Sequence, residues 1–551
     1  MRRAQKLGRF RRLIQIAGPL ARYTLRYHFL RRRKKGREFI TPSELRLSLE
    51  ALGGTFLKFG QLLSMRSDYI PLDYCLELQK LLDQVPPFPF EAVQDIIMNE
   101  LGKEANQVFD HFEPRPFASA SFGQVHLARL KSGEKVAVKA QRPGLRTIVE
   151  QDIRIMYLLA RLLDWTGILG ATKAETAVDE FAKWTFEELD YTIEGRTADL
   201  LRLNARDNPK ARIPKIFWDY SRRRILTMEF LEGISVNGLV RAIRGNDARA
   251  LARYRRLGID NQMVAKNLHS NELKQILVDG LFHADPHPAN LLILKDNAIG
   301  YVDFGIVGRF DESTRKIMRE YMKAIARGDL QETYEALLKV GITTSRTDLK
   351  GLERNIKRRT KQWHQAVSDG EGSVEQKSMA RYMVDTMRIA QAHELGIPLD
   401  ILIFYRTVVA IDSVNLQIAP SFDALEDARE FFKKWEIDNL LRTLSVPSFA
   451  EVIQDFYGLC RDLPGKVNTV FKKIEGDGLV LKSVETESRE LLQIRNRRMA
   501  MIMTAGVALL LSIVIHGGTE RAIFHLPVVD VVMPFFILTC AVLIVTIARL
   551  K

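Results

Sequence analysis

The spacing of apolar residues changes along this chain, and it predicts two kinds of element. Recurrence every three or four residues predicts helices over 42–102 and through much of the chain after residue 312. Alternation of apolar and polar residues over 117–139, together with an apolar stretch at 224–231, predicts strands. The pattern predicts a helix-rich α+β protein. Its 551 residues exceed what one hydrophobic core supports, so we expect two lobes with additions.

The helical pattern near the start of the body has clear boundaries. Thr41 is a suitable N-cap in front of Pro42, which fits the first position of a helix. The residues Pro86-Pro87-Phe88-Pro89 interrupt the pattern. Further helices are predicted at 312–340, 373–395, 399–418, 423–443 and 448–490.

A hairpin with a turn of small residues is predicted over 117–139. Lys131-Ser-Gly133-Glu turns the first strand into a second strand that ends at Lys139. Small side chains let backbone amides approach a phosphate closely, and a lysine on the neighbouring strand can neutralise its charge. We therefore expect a phosphate site made by Lys139 and by four small residues, namely Ala118, Ser119, Ala120 and Ser121.

The segment 174–203 holds the acids that could pair with this lysine. It is predicted as one helix, on which Glu187 and Glu194 share a face. Glu194 follows Lys139 by 55 residues, which leaves room for an additional helix at about 146–165. The acids considered as partners in the segment are Glu180, Glu187, Glu188, Asp190 and Glu194.

The apolar strand predicted at 224–231 ends at Glu232-Gly233. A glycine at the end of a strand suits a hinge between a small lobe and a helical large lobe. The backbone of Glu229 and Leu231 is then expected to pair with the adenine of a nucleotide.

The polar stretch from His283 to Asn290 is followed, after two short predicted strands at 291–294 and 299–302, by Asp303. Strands of this kind would bring the side chains of Asp285, Asn290 and Asp303 to one cleft. Mg²⁺ prefers a few oxygen ligands together with substrate phosphates, and Asn290 and Asp303 can supply them. Asp285 remains free to orient or deprotonate a nucleophile. The spacing therefore predicts phosphoryl transfer that uses ATP and Mg²⁺.

The chain after Asp303-Phe304-Gly305 lacks the activation segment of a protein kinase. It passes through Asp311 directly into a predicted helix over 312–327, and no Ala-Pro-Glu follows. Protein kinases dock their peptide substrate on that segment. A small molecule or a lipid-linked compound is therefore favoured as the acceptor.

The net charge of +15 is concentrated at the N-terminus. Residues 1–37 hold fourteen Lys or Arg and no acid, so the rest of the chain is nearly balanced and predicts no nucleic-acid partner. Five apolar residues in this segment share a helical face, which predicts an amphipathic helix on an anionic membrane surface. A solvated basic tail and a nucleic-acid arm are the alternatives. The five residues are Leu7, Phe10, Leu13, Ile14 and Ala17.

Two uncharged apolar runs, at 499–515 and 531–548, are each near the shortest length that spans a bilayer. Basic residues flank the pair on both outer sides, whereas the connection holds Arg521 alone, so both ends are expected to face the cytoplasm. Two buried core helices are the alternative. We expect a transmembrane hairpin in the inner (cytoplasmic) membrane with the body in the cytoplasm. Three widely spaced cysteines fit that reducing compartment: Cys75, Cys460 and Cys540.

Over about residues 40–320 the sequence resembles the UbiB family of atypical kinase-like proteins, also called the ADCK group, which is linked to ubiquinone and other prenyl-lipid pathways. Ala289 stands where the family usually has glycine, and Ser119 stands in its alanine-rich loop, but neither change removes a ligand. The resemblance rests on Lys58-Phe-Gly-Gln61, Ala118-Ser-Ala-Ser121 with Gly123-Gln-Val-His126, Val136-Ala-Val-Lys139, Glu188-Leu-Asp190, His283 to Asn290, and Asp303-Phe-Gly305.

The resemblance implies an atypical two-lobed protein-kinase-like fold and a role for each cleft residue. Lys139 would contact the nucleotide phosphates and pair with Glu194. Asp285 would be the aspartate of the catalytic loop, while Asn290 and Asp303 would bind the metal.

The resemblance also implies a regulatory cover over the cleft. Lys58, which shares its motif with Gln61, would fold over the active site. There it would meet Glu188 or Asp190.

Three functions fit these expectations. The first is a membrane-anchored, Mg-dependent ATPase or small-molecule kinase that supports ubiquinone biosynthesis, the second an ATP-gated module that presents quinone precursors to soluble enzymes, and the third a protein kinase. The expected partners are anionic lipids, prenyl-lipid intermediates and quinone-biosynthesis enzymes, and homodimer formation is left open. The expected parts are a basic segment (1–37), a helical extension (38–115), a small lobe (116–232), a large lobe (233–445), a linker (446–498) and two membrane helices (499–548).

Overall fold

The computed structural model describes residues 41–443, with gaps at 65, 67–69, 71, 79, 82–85, 121, 167–173 and 369–372. The basic N-terminal segment, the linker and the two apolar runs predicted to span a membrane lie outside the described residues. Ser121 of the small-residue turn also lies outside them.

A helical extension precedes the small lobe. Its helices are α1 (Pro42–Leu52), α2 (Gly54–Leu63) and α3 (Leu72–Leu78). The predicted cap is confirmed, since the Thr41 side chain accepts the backbone N–H of Glu44 and the Glu44 carboxylate accepts that of Thr41. Gly53 and Gly54 take positive φ angles of 63° and 46°, which lets the chain turn sharply between α1 and α2.

The small lobe is built on a twisted antiparallel sheet. Two helices, α4 (Phe90–Leu101) and α5 (Ala105–Val108), lead into β1 (Phe109–Phe112), β2 (Ala118–Ser119), β3 (Gly123–Leu130) and β4 (Lys135–Gln141). The predicted hairpin is confirmed, because β3 and β4 pair in register from Gly123 opposite Gln141 to Arg129 opposite Lys135.

Three helices follow the hairpin: α6 (Leu145–Thr166), α7 (Ala174–Glu188) and α8 (Tyr191–Asn204). Helix α6 is the additional helix predicted at about 146–165. The prediction of a single helix over 174–203 is wrong, because Asp190 takes an extended conformation and accepts the backbone N–H of Thr192 as the N-cap of α8. Glu187 and Glu194 therefore lie on separate helices and do not share a face.

Short strands connect the lobes and form the base of the cleft. They are β5 (Ala211–Arg212), β6 (Ile225–Glu229), β7 (Ile234–Ser235), β8 (Leu281–His283), β9 (Leu291–Ile293), β10 (Ile299–Tyr301) and β11 (Val307–Arg309). Strand β6 completes the small-lobe sheet in the order β1-β3-β4-β6, with β2 on β3. A second sheet has the order β5-β10-β9-β7, and β11 pairs with β8. The two predicted strands around Asp296 are confirmed as β9 and β10.

The large lobe is helical. Its helices are α9 (Val236–Arg244), α10 (Ala248–Arg256), α11 (Asn261–Lys274), α12 (Glu312–Arg327), α13 (Leu330–Val340), α14 (Leu349–Ser368), α15 (Val374–Lys377), α16 (Met379–Ala392), α17 (Leu399–Ile418) and α18 (Ala424–Thr443). A π-helical turn at Gln275–Asp279 follows α11. The helices predicted at 399–418 and 423–443 are confirmed, whereas the segments predicted at 312–340 and 373–395 are each two helices, separated at Gly328 and at Ser378. Helices α9, α10, α11 and α14 were not predicted individually.

Helix α17 runs through the core of the large lobe. Within the described part of the chain it is the one helix long and apolar enough to cross a membrane, but 56% of its apolar window is buried inside the fold. Trp363, Tyr382 and Phe404 belong to the same core. This burial is typical of a core helix in a globular domain.

Candidate nucleotide site

An ion pair between strand β4 and helix α8 stands at the centre of the cleft. Lys139 leaves β4 opposite Val125 of β3, and its Nζ donates to both carboxylate oxygens of Glu194, at 2.7 and 2.9 Å. The Nζ atom also lies 5.1 Å from the centroid of the Tyr191 ring. Because Glu194 lies in the first turn of α8, the cap at Asp190 sets where its carboxylate points.

Asp303 faces the same ammonium from the large lobe. Its Oδ2 lies 3.6 Å from Lys139 Nζ, and its Oδ1 accepts the backbone N–H of Gly305 at 2.9 Å. Partial removal from water raises the pKa of Asp303, but the charge of Lys139, the Gly305 amide and the charges of Lys58 and His283 outweigh this and lower the pKa from 3.8 to about 2. Asp303 is therefore ionised at neutral pH and ready to bind a cation.

Burial and charge act in opposite directions on the Lys139 pair. Burial lowers the pKa of Lys139, but Asp303 and Glu194 together raise it well above its ordinary value. Burial raises the pKa of Glu194 above its ordinary value even though Lys139 acts against that rise. The lysine therefore stays charged, as a phosphate ligand must.

The catalytic loop begins at a buried histidine. The Nε2 atom of His283 lies 2.5 Å from the carbonyl oxygen of Asp303, and the His283 backbone N–H donates to Gln275 Oε1 at 3.0 Å. Burial lowers the pKa of this imidazole. A neutral His283 protonated on Nε2 donates to that carbonyl, and so ties the start of the loop to the residue that faces Lys139.

Asp285 and Asn290 lie together further along this loop. The side-chain amide nitrogen of Asn290 donates to the carbonyl oxygen of Asp285 at 3.2 Å and to its Oδ2 at 3.3 Å. With the amide nitrogen engaged, the amide oxygen of Asn290 is left for a cation. The other oxygen of Asp285, Oδ1, accepts from Arg406 Nη2 of α17 at 3.0 Å.

Arg406 was missed by reasoning from the sequence. The available signal was its position as the single basic residue of the apolar helix α17. A lone charge at such a position needs a partner, but the spacing to Asp285, 121 residues away, does not reveal which one.

The small-residue turn closes the other side of the cleft. Ala118 and Ser119 pair with β3, and the N–H of Ala120 donates to the carbonyl oxygen of Gly123 at 2.8 Å. A Cβ atom at Gly123 would lie 2.5 Å from both the carbonyl oxygen of Ala140 and the hydroxyl of Tyr191, so only glycine fits there. The hydroxyl of Ser119 is buried and has no hydrogen-bond partner among the described residues.

At the hinge, the backbone N–H of Glu229 is used within the described part of the fold, whereas that of Leu231 is not. The Glu229 carboxylate binds Arg212 Nη2 at 2.6 Å and accepts the backbone N–H of Lys215 at 3.1 Å, so this side chain holds the connection between the lobes together. The backbone N–H of Glu229 donates to the carbonyl oxygen of Lys215. In contrast, the N–H of Leu231 reaches no acceptor in the part of the chain that the structure describes. It is the free donor at the place where adenine is expected.

The helical extension reaches the cleft through Lys58. Its Nζ donates to Glu188 Oε1, and it lies 5.2 Å from the Phe122 ring and 5.8 Å from the Trp184 ring. Lys58 is only 9% exposed.

Asp190 and Gln61, which stand in the same two motifs as Glu188 and Lys58, are not part of the Lys58–Glu188 ion pair. Either Glu188 or Asp190 was expected as the partner of Lys58, and Glu188 is the one that binds it. The Asp190 side chain instead caps α8 and accepts a hydrogen bond from Arg223 Nε at 2.9 Å. The Oε1 atom of Gln61 is buried and has no hydrogen-bond partner among the described residues.

The chain leaves the cleft by a short route. Strand β11 pairs with β8 soon after Gly305, and α12 begins at Glu312 behind the N-cap Asp311. The described chain therefore passes from Gly305 to α12 through β11 alone, as the sequence predicted.

The residues present fit Mg²⁺ bound together with a nucleotide. The described residues contain no cluster of three or more His, Cys, Asp or Glu that could hold a metal by itself. Mg²⁺ commonly uses one or two protein oxygens and completes its shell with phosphates and water. Asp303 and the amide oxygen of Asn290 supply that number.

This cleft, with a lysine-glutamate pair in a small sheet lobe and a polar loop and Asp-Phe-Gly in a helical lobe, is that of a kinase-like protein. Residues 80–337 match the family described as "ABC1 atypical kinase-like domain". The chain belongs to this UbiB/ADCK family of atypical kinase-like proteins.

Two relatives show the extent of the similarity. The chain is 30% identical over 421 residues to "Probable protein kinase UbiB" of Pseudomonas fluorescens (strain Pf0-1), covering 75% of each chain. It is 33% identical over 403 residues to "Protein ACTIVITY OF BC1 COMPLEX KINASE 7, chloroplastic" of Arabidopsis thaliana, covering 73% of this chain and 56% of that protein. The chain thus spans little more than half the length of the plant relative. A solved structure of Rv3197 with erythromycin from Mycobacterium tuberculosis aligns at 23% identity with a TM-score of 0.39, over 68% of this chain and 94% of that chain.

Proposed function

We propose that this protein is a Mg-dependent ATPase or small-molecule kinase that works at a membrane and supports ubiquinone biosynthesis. The observation that carries the proposal is the assembled ion pair of Lys139 and Glu194 with Asp303 beside it. A lysine held in this way is poised for nucleotide phosphates, and Asp303 is ionised and placed to share a cation with them.

Each residue of the chain then has a defined task. Lys139 binds the phosphates, and Glu194 holds Lys139 in place. Asp303 and Asn290 would hold Mg²⁺, which would supply positive charge beside the transferred phosphoryl group. Asp285 orients the attacking hydroxyl or water and accepts its proton.

A small-molecule or lipid-linked acceptor is favoured over a peptide. The short connection from Gly305 to Glu312 leaves no peptide-docking segment, and the motif that contains Lys58 covers the cleft. The relatives named UbiB support a link to ubiquinone. A membrane location is supported by the basic segment 1–37 and the apolar runs of the sequence.

The metal assignment is tested by Asp303→Asn in the full-length protein. Asn cannot supply the negative charge, so we expect Mg-dependent ATP binding to weaken by at least about tenfold, measured by calorimetry with and without Mg²⁺. Asp296→Asn, at an exposed position in the β9–β10 turn, is the matched control and should bind like the wild type. Unchanged Mg-dependent binding by Asp303→Asn would sink the assignment.

An ATP-gated module that presents quinone precursors is the second candidate, and the burial of Lys58 over the cleft favours it. In that case ATP binding matters and turnover does not. Asp285→Asn should bind ATP and retain only a small, measurable residual rate of hydrolysis. Quinone intermediates in cells that carry this variant distinguish the two functions: a block in quinone production supports the enzyme, and normal production supports the module.

The pathway itself is tested by the same profile in cells with Asp303→Asn. If quinone intermediates match those of the wild type, the link to quinone synthesis fails. Flotation of the full chain with anionic and with neutral vesicles tests the membrane part, and we expect binding to the anionic vesicles that salt weakens.

A further inference from the structure

Asp285 is held from outside its own loop by a residue that no motif contains. Arg406, in the middle of α17, donates from Nη2 to Asp285 Oδ1 at 3.0 Å. Asn290 contacts the other carboxylate oxygen, Oδ2, at 3.3 Å. Both carboxylate oxygens of Asp285 therefore accept hydrogen bonds, Oδ2 from a residue of its own loop and Oδ1 from a core helix.

The position of Arg406 is costly for a charged residue. Its side chain is 13% exposed, and the neighbouring helix positions Phe404 and Tyr405 are fully buried. Its second terminal nitrogen, Nη1, is buried without a hydrogen-bond partner among the described residues. A buried guanidinium that is only half satisfied is a poor way to stabilise a fold, and an apolar side chain of similar length would pack at least as well.

Asp285, in contrast, is 34% exposed at the cleft. Water can therefore solvate this carboxylate without Arg406. The contact does not serve to neutralise an otherwise buried charge. What it supplies is direction, because a planar guanidinium fixes the plane and rotamer of the carboxylate it binds.

We propose that Arg406 is a positioning residue for phosphoryl transfer, which aims the carboxylate of Asp285 at the attacking group. This rests on the proposed function, in which Asp285 accepts a proton from the nucleophile. The proton passes from the nucleophile to Asp285 as the new bond to the terminal phosphorus of ATP forms. The bond from that phosphorus to the bridging oxygen breaks, and ADP leaves with the electron pair. Arg406 itself exchanges no proton and touches no substrate.

The fold explains why the positioning residue for Asp285 lies on α17 and not on the loop itself. The loop from Asp285 to Asn290 contains Pro286 and Pro288, so few of its own backbone N–H groups are available to hold a side chain. Helix α17 is packed in the large-lobe core, with Ile401, Leu402, Phe404 and Tyr405 buried there. The Arg406 side chain starts from this packed helix, so its hydrogen bond holds the Asp285 carboxylate in one orientation.

The test compares full-length Arg406→Met and Arg406→Lys with the wild type. We expect Arg406→Met to lower kcat for ATP turnover by about 10- to 100-fold, the usual weight of a charge-assisted hydrogen bond. The Kd for Mg-ATP should stay within about twofold, and the midpoint of thermal unfolding should not fall. Arg406→Lys, which keeps the charge and one donor, should recover part of kcat.

Arg388→Met is the matched control, since it removes an exposed arginine of the same lobe that pairs with Asp73 at 2.8 Å. It should leave kcat unchanged. A double variant adds a second check: in an Asp285→Asn background, Arg406→Met should lower kcat by less than about twofold further, because the two residues act as one unit.

Three results would overturn the proposal. These are a wild-type kcat in Arg406→Met, a parallel loss of Mg-ATP affinity and thermal stability that shows a merely structural role, and additive losses in the double variant. If the wild type itself shows no ATP turnover, the proposed function fails and amide hydrogen exchange decides the positioning role. Faster exchange over 285–291 in Arg406→Met then supports it, and unchanged exchange refutes it.

Discussion

The ammonium of Lys139 contacts two carboxylates that differ in exposure, and this difference decides what the loss of the lysine costs. Glu194 is only 7% exposed in its side chain, whereas Asp303 reaches solvent. Removal of the lysine therefore leaves one carboxylate buried and unpaired, which costs far more than an unpaired carboxylate in water.

Lys139→Met is expected to destabilise the protein in a pH-dependent way. Burial already raises the pKa of Glu194, and loss of Lys139 raises it further. When a carboxyl group has a higher pKa in the folded protein than in the unfolded chain, the folded protein becomes less stable as the pH rises above the unfolded pKa of about 4.5. We expect a loss of about 3 to 5 kcal/mol at pH 8 and a smaller loss at pH 5, measured by denaturant unfolding.

Lys135→Met, on the same strand, is the control for this prediction. Its partner Glu232 is largely exposed, so the loss should stay below about 1 kcal/mol at both pH values. Equal losses at pH 5 and pH 8 in Lys139→Met would contradict the account.

At the residue scale, the sequence reveals side chains that stand in ordered motifs and hides those that do not. Lys139, Asp303 and Asn290 were found because loop and strand spacing limits where they can point. The family resemblance left two acids, Glu188 and Asp190, as partners of Lys58. The local backbone decides between them, since the Asp190 side chain caps helix α8. Arg406 could not be placed, because its partner lies in another part of the chain.

At the scale of elements, the start of β3 depends on a single missing methyl group. At Gly123 a Cβ would press on the backbone of β4 at Ala140 and on the hydroxyl of Tyr191, whose ring lies beside Lys139 Nζ. Backbone cannot yield as the end of a flexible side chain can.

Gly123→Ala is therefore expected to lower the free energy of unfolding by about 1 to 3 kcal/mol and to weaken ATP binding. Gly238→Ala in α9 is the control, because the nearest atom to its Cβ is the Tyr254 hydroxyl at 3.4 Å and alanine favours a helix. It should be neutral or stabilising. Urea unfolding of both variants makes the comparison, and equal stabilities would show that β3 shifts without cost.

Helix periodicity predicted most helices and failed where a cap overrides it. The apolar spacing continues through Leu189, so 174–203 reads as one helix. The helix is interrupted where the Asp190 carboxylate accepts the backbone N–H of Thr192, and the apolar spacing does not encode the change of chain direction at this cap. Helix α14 escaped prediction because its many basic residues mask a narrow buried stripe that includes Leu352, Ile356 and Trp363.

At the scale of the whole molecule, the extension and the small lobe share one core. Leu49, Phe56 and Leu57 of the extension pack with Val149 of α6 and Phe181 of α7. The order of motifs predicted the two lobes, but not this packing, because apolar helices offer few constraints on how they combine. The ion pair of Lys58 and Glu188 lies at the edge of that core and faces the cleft.

Glu188→Gln is expected to loosen the extension without unfolding it. Glutamine keeps the size of the side chain and removes the charge that holds Lys58, so amide exchange over α2 should rise several-fold while β3 and β4 stay protected. Asp190→Asn is the control, since asparagine caps a helix as well as aspartate does. Exchange over α2 that is identical in Glu188→Gln and the wild type would show that apolar packing alone holds the cover.

The long sequence separation of the cleft contacts has a consequence for synthesis. Lys58 meets a partner made 130 residues later, and Asp285 meets Arg406 after 121 more residues have been added to the chain. At about 5 to 20 residues per second, each of these intervals lasts from several seconds to nearly half a minute. During that time the nascent chain has the loop of Asp285 but lacks the arginine that we propose aims it. The proposed positioning contact can therefore form only when the large lobe is nearly complete and the chain is close to the segments that are expected to reach the membrane.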